Sequence, residues 1–256
     1  MPLLNVSAIS AYADNYIWLI HTGGTACAVV DPGDARPVQQ ALEQAGLDLR
    51  YILLTHHHPD HIGGMAQLKH QTGATVFGPQ DARIEGIDLV MREGDVAQLD
   101  QLGLQFNVLE VPGHTATHIV FTGHGVLFSG DTLFSVGCGR LFEGSAGQMQ
   151  DSLDKLAALP ADTRVYCGHE YTLGNCAFAL EVEPDNEDLQ RKTRRVETLR
   201  AAGKCTLPGR LGEELAVNPF LRSRAEPVVN AARKRDAAAL PGASTLAVIR
   251  QWKDRR

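Results

Sequence analysis

Four side chains able to bind a metal ion, His56, His58, Asp60 and His61, fall within six residues of Thr55-His56-His57-His58-Pro59-Asp60-His61-Ile62-Gly63-Gly64. They follow directly on Tyr51-Ile52-Leu53-Leu54, an apolar run of strand length. No other feature of the chain constrains the fold as much. A donor cluster at the exit of a buried strand needs a sheet beneath it and further donors beside it. In an extended segment leaving a strand, residues two apart point to the same side, so His56 and His58 can face one point. Asp60 and His61 come where the chain turns into a helix and can face a second point nearby. Imidazole nitrogen and carboxylate oxygen suit zinc, iron or manganese. Four donors exceed what one metal takes while leaving room for catalysis, so two metals are expected.

Each of those metals needs more donors, and three isolated residues offer them. His114 stands in Pro112-Gly113-His114-Thr115, Asp131 in Ser129-Gly130-Asp131-Thr132, and His169 in Cys167-Gly168-His169-Glu170. All three follow an apolar run and lie beside a glycine, where backbone can bend closely around a site. The expected sets are His56, His58 and His114 for one metal and Asp60, His61 and His169 for the other, with Asp131 bridging through its two oxygens. Asp131 alone would serve equally as a helix cap. His21, His57, His70, His118 and His124 are read as structural, with His57 a neighbour of the ligands.

The rest of the chain supplies a scaffold of the right kind. Strands are expected at 16–20 and 26–30, joined by a turn over 21–25, then at 51–55, 75–77, 104–111, 118–122, 125–129 and 164–167. Helical spacing covers 37–45, 62–72 and 148–159. Mixed strands and helices with tight turns fit an α/β or α+β layered sandwich. From about residue 173 the texture becomes polar, charged and rich in helix formers over 185–202 and 227–239. This predicts two domains, 1–172 and 173–256, the second smaller and helical.

Charge follows the same division. Residues 1–172 carry 8 Lys+Arg against 19 Asp+Glu, and residues 173–256 carry 16 against 11. An acidic first part matches carboxylates that face cations, and a basic second part could meet an anionic ligand. The acidic first part and the lack of a basic, aromatic-lined surface pattern argue against a nuclease or other nucleic-acid partner. No apolar run approaches the roughly 18 residues of a membrane span, and Met1-Pro2-Leu3-Leu4-Asn5 lacks the pattern of a secretory signal. The cysteines (Cys27, Cys138, Cys167, Cys176, Cys205) are odd in number, scattered and form no CxxC pair. A reducing cytoplasm is therefore the expected compartment.

His56-His57-His58-Pro59-Asp60-His61 resembles the H-x-H-x-D-H signature of the metallo-β-lactamase superfamily, and His114, Asp131 and His169 fall in the order that superfamily uses. The resemblance implies an αββα sandwich with metals at one sheet edge. Other segments resemble the glyoxalase II (hydroxyacylglutathione hydrolase) family: Ser129-Gly130-Asp131-Thr132-Leu133-Phe134, Gly137-Cys138-Gly139-Arg140-Leu141-Phe142-Glu143-Gly144, Gly168-His169-Glu170-Tyr171-Thr172 and Asn218-Pro219-Phe220-Leu221-Arg222. So does the ending Arg250-Gln251-Trp252-Lys253-Asp254. The likeness runs from about residue 3 to 254.

That resemblance implies a thioester hydrolase. It would convert S-(2-hydroxyacyl)glutathione, foremost S-D-lactoylglutathione, to glutathione and a 2-hydroxy acid such as D-lactate, in methylglyoxal detoxification. It implies two divalent metal ions per chain, zinc first and iron or manganese as alternatives. Asp60 would orient the attacking water and Asp131 would hold the metals together. Glutathione would be held by Arg140, Phe142, Tyr171, Arg250 and Lys253. The family usually has lysine where Arg140 stands and often tyrosine where Phe142 stands; arginine keeps the charge, phenylalanine lacks the hydroxyl. The chain is expected to act as a monomer, with no nucleic-acid or membrane partner. The alternatives are a one-iron glutathione persulfide dioxygenase using His56, His114 and Asp131, or another hydrolase on this scaffold such as a lactonase.

Overall fold

The computed structural model describes residues 4–256; Met1 to Leu3, which open the N-terminal stretch considered above, lie outside the described residues. Packing divides the chain into two compact units. One takes in the described residues up to Glu110 together with Thr117–Gly130, and the other takes in Val111–Ala116 and Asp131–Arg256. These borders follow packing, whereas the expected division at residue 172 follows composition, and the two do not coincide.

In the first unit, β1 (Asn5–Ala11) pairs antiparallel with β2 (Asn15–His21), and β2 with β3 (Ala26–Val30). The 21–25 segment is the expected hairpin turn, with Cys27 opposite His21. α1 (Ala35–Ala45) then crosses to β4 (Asp48–Leu53), which pairs parallel with β3. A parallel return needs such a crossover, and the residues supply one. Asp34 caps the helix by accepting from Arg36 N at 2.9 Å, Ala35, Val38 and Leu42 are its buried face, and Gly46 ends it.

The helix expected over 62–72 is two helices, α2 (Pro59–Ile62) and α3 (Met65–Thr72). The break falls at Gly63-Gly64, where the chain passes against the backbone of residues 32–35. A Cβ on Gly64 would lie 2.4 Å from Ala35 N, so only glycine fits. β5 (Thr75–Pro79) and β6 (Leu89–Met91) complete a six-stranded sheet in sequence order. α1 and α3 pack against it over a core that includes Ile17, Val29, Val38, Ile52, Leu68 and Val76. Burying each such side chain contributes about 1.5–3 kcal/mol.

The same unit holds the antiparallel run β7 (Val96–Leu99), β8 (Leu104–Glu110), β9 (Ile119–Gly123) and β10 (Val126–Gly130). In β8, Leu104, Phe106 and Val108 are buried while Gln105 and Asn107 are exposed, the alternation that one covered face demands.

The second unit opens with a short hairpin, β11 (Leu133–Phe134) and β12 (Gly137–Cys138). α4 (Ala146–Ala157) starts with a reciprocal Ser145–Gln148 capping box. β13 (Arg164–Cys167) leads to α5 (Thr172–Val182) and α6 (Glu187–Ala201). The chain continues through β14 (Gly209–Arg210), α7 (Leu211–Val217), α8 (Glu226–Arg233) and α9 (Ala243–Asp254). The helix expected over 227–239 ends at Arg233, and α5 and α7 were not foreseen. Val136, Cys176, Ala179, Leu189, Val196 and Val217 form a core among these elements. Among the described residues no helix is long and apolar enough to cross a membrane.

Candidate functional site

Each compact unit gathers its own group of side chains of the metal-ligating types. In the first unit β4 is buried at its end and delivers Thr55 and His56, both fully buried, straight out of the sheet. His56 Nε2 lies 3.1 Å from His58 Nδ1. The two rings meet edge-on, as the two-residue spacing predicts. α2 then presents Asp60 and His61, with His61 Nε2 3.5 Å from Asp60 Oδ2.

Two residues that sequence reasoning missed organise this set. Asp31, 4% exposed, accepts from Thr55 N at 2.8 Å and from Thr55 Oγ1 at 2.7 Å, and its Oδ2 lies 3.1 Å from His61 Nδ1. A carboxylate on one imidazole nitrogen fixes the tautomer that leaves the other nitrogen's lone pair for a metal. Donor atoms of Asp31, His56 and His61 all lie within 4.8 Å of one another. Because both Asp31 oxygens already serve Thr55 and His61, Asp31 orients ligands rather than joining them. Asn15 Nδ2 donates to Asp60 Oδ2 at 2.9 Å and so aims that carboxylate. The available signal was a carboxylate directly after a buried strand, in Val30-Asp31-Pro32. His118, read as structural, stacks on His56 with centroids 4.6 Å apart. His57 Nδ1 lies 3.5 Å from the buried Asp81 carboxylate, beside the ligands as expected.

In the second unit His114, Asp131 and His169 are each at most 6% exposed. His114 Nε2 lies 3.5 Å and His169 Nε2 3.3 Å from the same oxygen, Asp131 Oδ2. These separations exceed an ordinary N–H···O bond, and both ring nitrogens face the one oxygen. His114 Nδ1 lies 2.9 Å from the Arg140 carbonyl, which again fixes the outer nitrogen and turns the inner one toward Asp131. His169 stacks on Tyr171 with centroids 4.6 Å apart and planes at 4°. Gly139 closes the group: a Cβ there would lie 2.0 Å from Asp131 O and 2.9 Å from His114 Nδ1. Neutral imidazoles and carboxylates, buried and oriented in this way, suit divalent metal ions.

The basic and aromatic residues expected to hold a ligand also lie in the second unit. Phe142 and Tyr171 are exposed, at 62% and 40%, while Arg250 is buried. Arg250 donates from Nη1 to Cys138 O at 2.9 Å and from Nη2 to Asp254 Oδ1 at 2.8 Å. Arg140 Nε approaches the same Asp254 oxygen at 3.4 Å. Lys253 Nζ donates to Asn175 Oδ1 and lies 5.8 Å from the centroids of Phe178 and Phe220. Burial, with the neighbouring Arg250 cation, pushes Lys253 down to about 8. Arg250 and Lys253 are both on α9, as their spacing predicts. Arg250 is committed to two protein partners, whereas Lys253 donates to one among the described residues.

A metallo-β-lactamase superfamily model matches residues 14–169, and a model described as hydroxyacylglutathione hydrolase C-terminus matches residues 170–256. A hydroxyacylglutathione hydrolase of Photobacterium profundum is 51% identical over 253 residues, taking in 98% of this chain and 99% of the relative. The chain belongs to the hydroxyacylglutathione hydrolase family.

Membership in the hydroxyacylglutathione hydrolase family sets the chain within the metallo-β-lactamase fold, a mixed α/β architecture of hydrolases, followed by a helical C-terminal region. Solved structures agree. ETHE1 from Myxococcus xanthus is similar with a TM-score of 0.67 at 25% identity, over 98% of each chain. TTHA1623, solved in a di-iron-bound form, is similar with a TM-score of 0.53 at 31% identity, over 66% of this chain and 91% of that one.

Proposed function

We propose that this chain hydrolyses S-(2-hydroxyacyl)glutathione thioesters, S-D-lactoylglutathione foremost, to glutathione and a 2-hydroxy acid. The observation that carries this reading is the match of the whole 170–256 segment to the hydroxyacylglutathione hydrolase C-terminus, since the metal-donor signature alone serves many reactions. We assign His56, His58 and His114 to one cation, Asp60, His61 and His169 to a second, and Asp131 to both, with zinc the first choice of metal. Bound divalent cations lower the pKa of water and polarise a carbonyl, which is the chemistry a thioester needs.

The chain's own residues do the rest. Asp60, aimed by Asn15, accepts a hydrogen bond from the attacking water and points its lone pair at the thioester carbon. Asp31 and the Arg140 carbonyl keep His61 and His114 in the tautomers that leave their inner nitrogens as donors. The leaving group is a thiolate, stable without a proton, so no general acid is required. Arg140, Tyr171, Arg250 and Lys253 position glutathione, Arg140 and Lys253 as cations for its carboxylates, while Phe142 offers only an apolar face. In this division of labour residues 1–172 carry the chemistry and, through Arg140, Phe142 and Tyr171, part of the grip on glutathione, and residues 173–256 add Arg250 and Lys253. The scattered free thiols suit a reducing compartment such as the cytoplasm, and the chain is proposed to work as a monomer.

The test is hydrolysis of S-D-lactoylglutathione by the metal-loaded protein, beside a coenzyme A thioester and a lactone. Turnover of the glutathione thioester at least about a hundredfold faster than the others, a gap of roughly 2.7 kcal/mol, is expected. Equal rates on all three would remove glutathione from the assignment. Oxygen uptake on glutathione persulfide with one iron per chain would favour the dioxygenase.

A further inference from the structure

The hairpin formed by β11 and β12 connects two functional residues of the second unit. Asp131 lies two residues before it and Arg140 two residues after it. Its turn contains Val136 at φ 58°, a left-handed conformation that a β-branched residue adopts only when its surroundings impose it. Three side chains from the helical part impose it here. Glu214, fully buried on α7, accepts from Val136 N at 2.6 Å and from Ser135 Oγ at 2.9 Å. Asn218 Nδ2 donates to Gly137 O at 3.0 Å and to Phe134 O at 3.2 Å. Asn175 Nδ2 donates to Ser135 O at 2.9 Å.

The Glu214 carboxylate is paired with Lys192, which is 3% exposed and donates to it. Burial opposes the Lys192 ammonium, but Glu214 and Glu213 outweigh it and raise its pKa. An ion pair of this kind is not needed for stability, since apolar replacements often do as well. Its place under a strained turn suggests another task. What rests on the hairpin is the glutathione side of the site: Cys138 O receives Arg250, and Asn175 receives Lys253. Next to Asp131 the base of the hairpin is closed by its own backbone, Gly139 N donating to Thr132 O at 3.2 Å.

We propose that Glu214 and Asn218 are positioning residues for substrate binding: they hold Val136 in its left-handed conformation, and so set the Leu133–Cys138 hairpin against which Arg140, Arg250 and Lys253 are placed. The use of glutathione as the ligand rests on the function proposed above. The clamp acts on the ground-state grip rather than on the reacting atoms, so its loss raises KM more than it lowers kcat. Glycine at 136 adopts the left-handed conformation without help and should relieve the need for the clamp.

The experiment compares Lys192→Met/Glu214→Leu with the same pair carrying Val136→Gly, measuring KM, kcat, Tm and amide exchange over residues 131–140. The double variant should raise KM about tenfold, the equivalent of one charged hydrogen bond, with kcat changed less. Exchange at Val136 should quicken. Adding Val136→Gly should bring KM most of the way back. An unchanged KM in a folded double variant, or a raised KM that Val136→Gly fails to restore, would overturn the proposal. If the double variant does not fold, Glu214→Gln decides. It keeps an oxygen for Val136 N but loses the charge, so it should lower Tm while raising KM less than threefold, under about 0.7 kcal/mol; a tenfold rise would count against the clamp. The exchange data need no substrate, so they report on the clamp even if the wild-type protein proves inactive on the glutathione thioester.

Discussion

The two donor sets are built in opposite ways. In the first unit the donors arrive along one short stretch, His56 to His61, where a buried strand ends and a single helical turn begins. Local geometry nearly suffices, and two outside residues, Asp31 and Asn15, finish the aim. In the second unit His114, Asp131 and His169 come from three separate segments and meet only because tertiary packing brings them together, with Gly139 leaving room for the closest approach. A locally encoded set tolerates the loss of an outside helper. A set assembled by packing has no such reserve, because each donor is the sole contribution of its segment.

That contrast can be broken or sharpened by substitution. Asp131→Ala removes the oxygen on which both imidazoles of the second set converge. It should abolish turnover and metal retention together, a loss beyond the roughly 100-fold that follows removal of an outer partner. An active, metal-replete variant would dissolve the second set as a unit. Asp31→Ala strikes the first set through its helper. It should weaken metal binding roughly 10–100-fold while leaving some activity in excess metal, measured by chelator competition. If it matched Asp131→Ala, the two sets would be equally fragile.

Smaller effects are expected where no metal donor is involved. Lys253→Met should raise KM about tenfold with kcat nearly kept, in line with one lost charge-assisted hydrogen bond; an unchanged KM would return Lys253 to a packing role. The pH dependence of KM should follow the same residue. Lys253 is held down to about 8, so it is cationic below that pH and neutral above it. KM for an anionic substrate should therefore climb as pH passes about 8 in the wild-type protein and stay flat across that range in Lys253→Met. A matching climb in the variant would place the titrating group elsewhere.

The clustering of His56 with His58 and of His114, Asp131 and His169 was legible because residue type, spacing and the neighbouring strand ends or glycines carry the information. The hairpin of β2 and β3, the helix near Pro37 and the strands from 104 to 129 were legible for the same reason, through apolar period and turn residues. The break in the helix expected over 62–72 was not, because it depends on how closely Gly63-Gly64 approach the 32–35 backbone. Asp31 follows the strand expected at 26–30 with no local sign of its task, which only its long-range partners, Thr55 and His61, reveal. Lys192 stands in the polar stretch 185–202 and Glu214 outside both expected helices, and nothing local distinguishes a buried ion pair from solvated charges. The commitment of Arg250 to Cys138 O and Asp254 likewise depends on tertiary contact.

The most direct measurement is a titration of the metal-free protein with zinc, with bound metal and hydrolysis of S-D-lactoylglutathione recorded on the same samples. A hydrolysis that needs both proposed cations predicts that activity rises to its maximum as the second equivalent binds. Full activity at one equivalent, or two bound equivalents with no turnover, would contradict it.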